Sequence, residues 1–128
     1  MEKVRSNYPD IAPPSGKYSR GIRAGNMLFV SGCTATGTDA DGGPMIDQMR
    51  ATLEKLRRIM EAEGGSMSDI VKVVTWVTDI SQYLADLPQR EVLVDEYYEG
   101  QYPTNTLVEI GALLTDTLSI EIDAIAVL

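Results

Sequence analysis

Residues 18–34 read YSRGIRAGNMLFVSGCT, and the fold follows from how this stretch is parsed. Two strand-like runs, Tyr18 to Ala24 and Met27 to Thr34, flank Gly25-Asn26, a two-residue pair that tolerates positive φ and so favours a hairpin. Before it, residues 1–17 carry Pro9, Pro13, Pro14 and Gly16 with no sustained period, which reads as an extended lead-in. After it, the polar loop Gly37 to Gly43 leads to Pro44, well placed as the first residue of a helix.

That helix runs to about Glu63. Met45, Met49, Leu53, Leu56 and Met60 recur at spacings of three and four, while Arg50, Glu54, Arg57, Arg58 and Glu61 fill the other face, and Gly64-Gly65 closes it. Ile70 to Thr78 is β-branched and apolar apart from Lys72, the pattern of a central strand covered on each side, with Trp76 in the core. Ser81 to Glu99 reads as a second helical stretch interrupted by Pro88: a short turn, then a helix from about Pro88 with Val92, Leu93 and Tyr97 facing inward and Gly100 closing it. Thr104 to Ile110 and Thr117 to Val127 are the last two strands.

The order ββαβαββ, with the first and the last strand pairs each joined by a short connection and so expected to fold back on one another, predicts a single α+β domain over residues 1–128, with a largely antiparallel or mixed sheet and two helices on one face. In the last strand Leu118, Ile120, Ile122, Ala124 and Ala126 point one way, and Ser119, Glu121, Asp123, Ile125 and Val127 the other. The helix-free face is therefore not very polar, and an apolar remainder of that size predicts burial against other subunits.

Composition narrows the chemistry. With 19 acidic and 11 basic residues the net charge is -8, so a polyanionic partner would approach against the field and nucleic-acid binding is not expected. The absence of histidine removes the commonest general base and most zinc sites. A lone cysteine forms no internal disulfide, the amino terminus lacks a secretory apolar stretch, and no window approaches the roughly 18 apolar residues of a membrane span. A soluble cytoplasmic protein with no metal is the expectation.

Among candidate residues, Cys33 follows Val30-Ser31-Gly32 at a strand end, but an activated thiolate needs a cation or helix terminus that the sequence does not guarantee; a small semi-buried residue is the stronger reading. Glu109, Glu121 and Asp123 are carboxylates in apolar strands, where an unpaired charge is costly unless it is poised as an acid or base; pairing to Arg20, Arg23 or Lys72 is the alternative. Tyr18 and Arg20 alternate onto one strand face and could present a phenol and a guanidinium to a small anion, or be a solvated edge.

Taken together, Gly16-Lys17-Tyr18-Ser19-Arg20, the hairpin from Gly25 to Gly32, the Gln48-containing helix ending in Gly64-Gly65, Asp69 to Lys72 and the closing Ile120 to Ala126 resemble the YjgF/Rid (reactive intermediate deaminase) family, whose older names include L-PSP endoribonuclease. The resemblance covers nearly the whole chain, in order. It implies a chorismate-mutase-like α+β fold assembled as a homotrimer, a barrel of sheets with clefts between adjacent subunits, and cofactor-free hydrolysis of enamines and imines.

In the deaminating members an arginine of a Pro-Ala-Arg motif grips the substrate carboxylate and a glutamate near the carboxyl end positions water. By resemblance that glutamate is Glu121, the family tyrosine is Tyr18 and the strand-end serine is Ser31. The arginine slot in Pro103-Thr104-Asn105-Thr106 holds Asn105, and the usual glutamine after Ser-Gly is Cys33. Losing a bidentate arginine–carboxylate contact costs on the order of a few kcal/mol. The resemblance thus points to an arginine-lacking branch.

Two functions remain open. One is a hydrolase or deaminase for a small enamine, imine or related carbonyl or amine compound, with Glu121 and Asn105 catalytic and Tyr18, Arg20, Ser31, Cys33 and Thr106 binding the substrate. The other is a non-catalytic trimeric ligand-binding or regulatory protein that lost the chemistry with the arginine.

Overall fold

The computed structural model describes residues 1–128. The strands are β1 (Lys3–Ser6), β2 (Gly21–Ala24), β3 (Met27–Cys33), β4 (Ile70–Val77), β5 (Thr104–Glu109) and β6 (Ile120–Val127), and the helices are α1 (Met45–Ala62), α2 (Ile80–Ala85) and α3 (Leu87–Tyr98). They form one six-stranded mixed sheet in the order β1-β2-β3-β6-β4-β5, an α+β fold. β2 and β3 make the expected hairpin, Ala24 facing Met27, with Gly25 at φ +63 in the left-handed region a side chain would resist.

The sheet's alternation decides where the core lies. Leu28 and Val30 of β3, Val73 and Val77 of β4, and Ile120, Ile122, Ala124 and Ala126 of β6 are buried in one cluster with Met49, Leu53, Leu56, Ile59 and Met60 of α1. α1 lies on β3 and β6, and α2 and α3 pack against α1, so the helices share one face. On the other, Met27, Phe29 (41% exposed) and Val127 are left open.

Four features depart from the sequence reading. β1 falls within the expected lead-in: it is four residues long, with no apolar alternation to announce it, and is held only by pairing with β2. The second strand begins at Gly21 rather than Tyr18. β6 does not fold back on β5; it inserts between β3 and β4, antiparallel to both, and leaves β5 as a parallel edge strand on β4. The helix expected from about Pro88 is there, as α3, with Pro88 in its first turn where the missing N–H costs nothing, but the short turn expected before it is a helix of its own, α2, divided from α3 at Asp86.

That start sets the phase of α3. Leu93 and Tyr98 turn inward and Tyr97 packs on the core, but Val92 is 67% exposed, not inward. Trp76 is likewise half-buried on the helix-free face, because β4 turns Val73, Thr75 and Val77 inward and Trp76 alternates with them. β4 is therefore covered by helices on one side only.

Candidate functional site

Glu121 stands in the row of β6 that faces away from the helices, opposite Trp76 of β4. Beside it β3 bulges: Val30 faces Ala124 and Cys33 faces Ile122, so a three-residue step on β3 meets a two-residue step on β6. The extra residue lies in Ser31-Gly32, and Gly32 gives the carboxyl its room. A Cβ there would fall 2.5 Å from Glu121 Oε2 and 2.6 Å from the carboxyl carbon. Glu121 joins none of the four ion pairs of the molecule. Partial burial, and after it the negative charge of Asp123, raise its pKa, with Arg20 opposing.

Asp123 is satisfied by a partner the sequence did not indicate: Trp76 Nε1 donates to its Oδ2 at 2.9 Å. Glu109 is an exposed helix-end acceptor, taking the Ile80 N–H at the start of α2 at 2.9 Å. Of the three strand carboxylates, Glu121 is the one that lines the large cavity.

That cavity, about 1030 Å³, is walled by Tyr18, Arg20, Gly32, Cys33, Lys55 and Glu121, with the loop from Thr36 to Ala40 along one side. Arg20 is 5% exposed and its guanidinium is a strut. Nε donates to Ala12 O at 2.7 Å, Nη1 to the carbonyls of Ser31 and Gly32, and Nη2 to Pro13 O and to Tyr18 Oη at 3.2 Å. All five N–H donors are thereby used, binding the lead-in to the end of β3, and none is left for a ligand. Tyr18 precedes β2 instead of sitting in it, yet its phenol reaches Arg20, and hydrogen bonds from Ser15 followed by the Arg20 charge draw its pKa below the usual range.

Cys33 is 1% exposed, and burial pushes its thiol pKa up, with Arg20 and Lys55 opposing. Burial thus favours the thiol over the thiolate, the opposite of what an activated nucleophile needs. Ser31 lies behind the wall, its Oγ donating to Ser19 O at 2.7 Å.

Asn105 and Thr106 stand apart, on the edge strand β5. Asn105 faces Val73 on the helix side, accepts a hydrogen bond from Thr75 Oγ1 at 2.8 Å, and lines a separate cavity of about 190 Å³ with Tyr83, Arg90 and Tyr98. Thr106 pairs with Val74 and is exposed. Within one chain neither reaches Glu121's cavity. No three His, Cys, Asp or Glu side chains converge in a metal-binding group, and no helix is long and apolar enough to cross a membrane.

One cavity residue escaped the sequence reading. Lys55 of α1 is 9% exposed, and its Nζ donates to Thr36 O at 2.6 Å. It sits within a run of charged residues on α1, and only the return of the loop after β3 buries it.

The family model described as endoribonuclease L-PSP matches residues 10–128. A RutC family protein of Pyrococcus horikoshii is 37% identical over 124 residues, covering 93% of this chain and 94% of the relative. The 2-iminobutanoate/2-iminopropanoate deaminase of Escherichia coli K12 is 32% identical over 114 residues, 88% of each chain. In three dimensions the crystal structure of Escherichia coli TdcF with bound serine superposes with a TM-score of 0.80 at 32% identity, covering 99% of both chains. Matching in sequence along nearly its whole length and in fold, the chain belongs to the endoribonuclease L-PSP family, also known as YjgF/Rid.

Proposed function

We propose that this protein is a cofactor-free hydrolase of the deaminase type, acting on a small enamine or imine in a cleft completed between subunits of a homotrimer. The observation that carries the reading is Glu121: a carboxyl of raised pKa on the wall of the large cavity, with no hydrogen bond to the protein. Relatives named as 2-iminobutanoate/2-iminopropanoate deaminase and the serine-bound TdcF structure support a small amine-bearing substrate. The older ribonuclease name fits poorly with a net charge of -8 and no histidine.

The chemistry balances without a cofactor. As the oxygen of water bonds to the imine carbon, Glu121 takes one proton from it and passes that proton to nitrogen, giving a carbinolamine; as the carbon–nitrogen bond then breaks, the same carboxyl carries the remaining hydroxyl proton to the departing nitrogen. Water and imine become ketone and ammonia. Tyr18, held by Ser15 and Arg20, offers a phenol to the developing charge. Asn105 and Thr106 come to this cavity only across a subunit boundary, from a neighbour's β5, as the family resemblance implies.

A second reading, a trimeric binding protein without turnover, is favoured by the side chain at position 105, which supplies hydrogen bonds but no charge. A coupled assay separates the two: a dehydratase makes 2-iminopropionate from serine, and its clearance is compared for the native protein and Asn105→Arg. Acceleration by the native protein is the expected result. Activity in Asn105→Arg alone assigns the cleft an uncharged substrate, and silence from both supports the binding protein.

A further inference from the structure

The main cavity contains a desolvated cation with no counter-ion. Lys55 is nine-tenths buried, makes its one protein hydrogen bond to Thr36 O, and takes part in no ion pair. An ammonium has three donors, so two point elsewhere. Asp41, whose charge acts on Lys55, lies beyond ion-pair distance and accepts from Thr117 Oγ1 at 2.7 Å. The other cations of the cavity are engaged or solvated: Arg20 gives every N–H to the protein, Arg50 pairs with Glu96 at 2.9 Å, and Arg58 is exposed. A buried charge without a partner is strongly unfavourable, and an anion entering the cavity would relieve that cost.

Cys33 lines the same cavity as Lys55 and Glu121 and supplies no counter-ion to Lys55. A small molecule with its anionic end on Lys55 would occupy the cavity that Glu121 also lines.

We propose that Lys55 is the anion-binding residue of this cavity, holding the carboxylate of a small 2-imino or 2-oxo acid so that its C2 lies towards Glu121. The inference rests on the deaminase reading for the identity of the ligand. In effect, the charge that position 105 lacks is supplied from α1, by the chain that also carries Glu121. The arrangement selects acids over their uncharged amides.

The test uses 2-oxobutyrate, a stable acid that cannot be deaminated, and its amide, titrated by calorimetry into the full-length native protein, Lys55→Met and Lys55→Arg. The native protein should bind the acid at least about tenfold more tightly than the amide. Lys55→Met should lose about tenfold or more for the acid alone, and Lys55→Arg should recover most of it. Thermal melts check the fold: removal of an uncompensated buried charge should leave Tm unchanged or raise it.

Equal affinity of Lys55→Met and the native protein for the acid, or no preference of the native protein for acid over amide, would overturn the proposal. A fall in Tm with unchanged acid affinity would make Lys55 a strut for the Thr36 loop instead. The deaminase reading fails separately: acid binding that depends on Lys55, with no imine clearance by the native protein, leaves an anion site without that chemistry.

Discussion

On the function proposed above, the ionisation of Glu121 sets when the cavity is active. Burial and Asp123 hold its proton more tightly than an ordinary glutamate does, and to act as the proposed base on water it must first lose that proton. Activity should therefore rise with pH through a midpoint above the usual glutamate range. Asp123→Asn removes the neighbouring negative charge while keeping an oxygen for Trp76, so the rising limb of the kcat/KM profile should move to lower pH. A profile that does not move would mean the limb belongs to another group. The same shift acts on stability with a definite sign. A carboxyl whose pKa is raised by folding stabilises the protein at low pH, and that contribution is lost as pH climbs from the unfolded value through the folded one.

Glu121 was legible at this scale because a carboxylate in an otherwise apolar strand stands out against period-two alternation. Lys55 was not: its neighbours in sequence are Glu54, Arg57 and Arg58, and its burial comes from a loop about twenty residues earlier closing over it. Arg20 looked like a ligand-binding cation because its type allows that; only the carbonyls of Ala12, Pro13, Ser31 and Gly32 show where its donors go.

At the scale of elements, the hairpin and α1 were readable because turn chemistry and a helical apolar stripe are local signals. The insertion of β6 between β3 and β4 was not, since strand order depends on pairings between residues far apart in sequence, and no local pattern records them. One side chain ties these distant pieces together. Gln48 is fully buried in α1; its amide nitrogen donates to Gly43 O at 2.9 Å and Thr117 O at 3.0 Å, and its oxygen accepts from Ser119 N at 2.9 Å. It fixes the entry to α1 against the entry to β6. Gln48→Leu keeps the volume but leaves these three backbone groups unpaired, so a loss of about 3 kcal/mol is expected, measured by urea unfolding. A loss below about 0.5 kcal/mol would show that water satisfies those groups equally well.

For the molecule as a whole, the helix-free face of the sheet is the feature a single chain leaves unfinished. Met27, Phe29 and Val127 are exposed there, with Ile125 half-buried beside them. The alternation of β6 already placed Ile125 and Val127 on this side, and the homotrimer proposed above would cover them. Sedimentation should find a trimer, and Phe29→Glu should shift it towards monomer by forcing a charge into that surface. A monomer at all concentrations for the native protein would leave Asn105 and Glu121 in separate cavities and remove the basis for a shared cleft.

Whether Glu121 activates water is read from the clearance rate of 2-iminopropionate by the native protein beside Glu121→Gln. The substitution is nearly isosteric over Gly32 and removes a carboxyl whose charge is disfavoured by burial, so Tm at neutral pH should hold or rise. Loss of about 100-fold or more in kcat, with the folded assembly intact, is the predicted result. Clearance by Glu121→Gln at the native rate would contradict the account and make Glu121 a passive part of the wall.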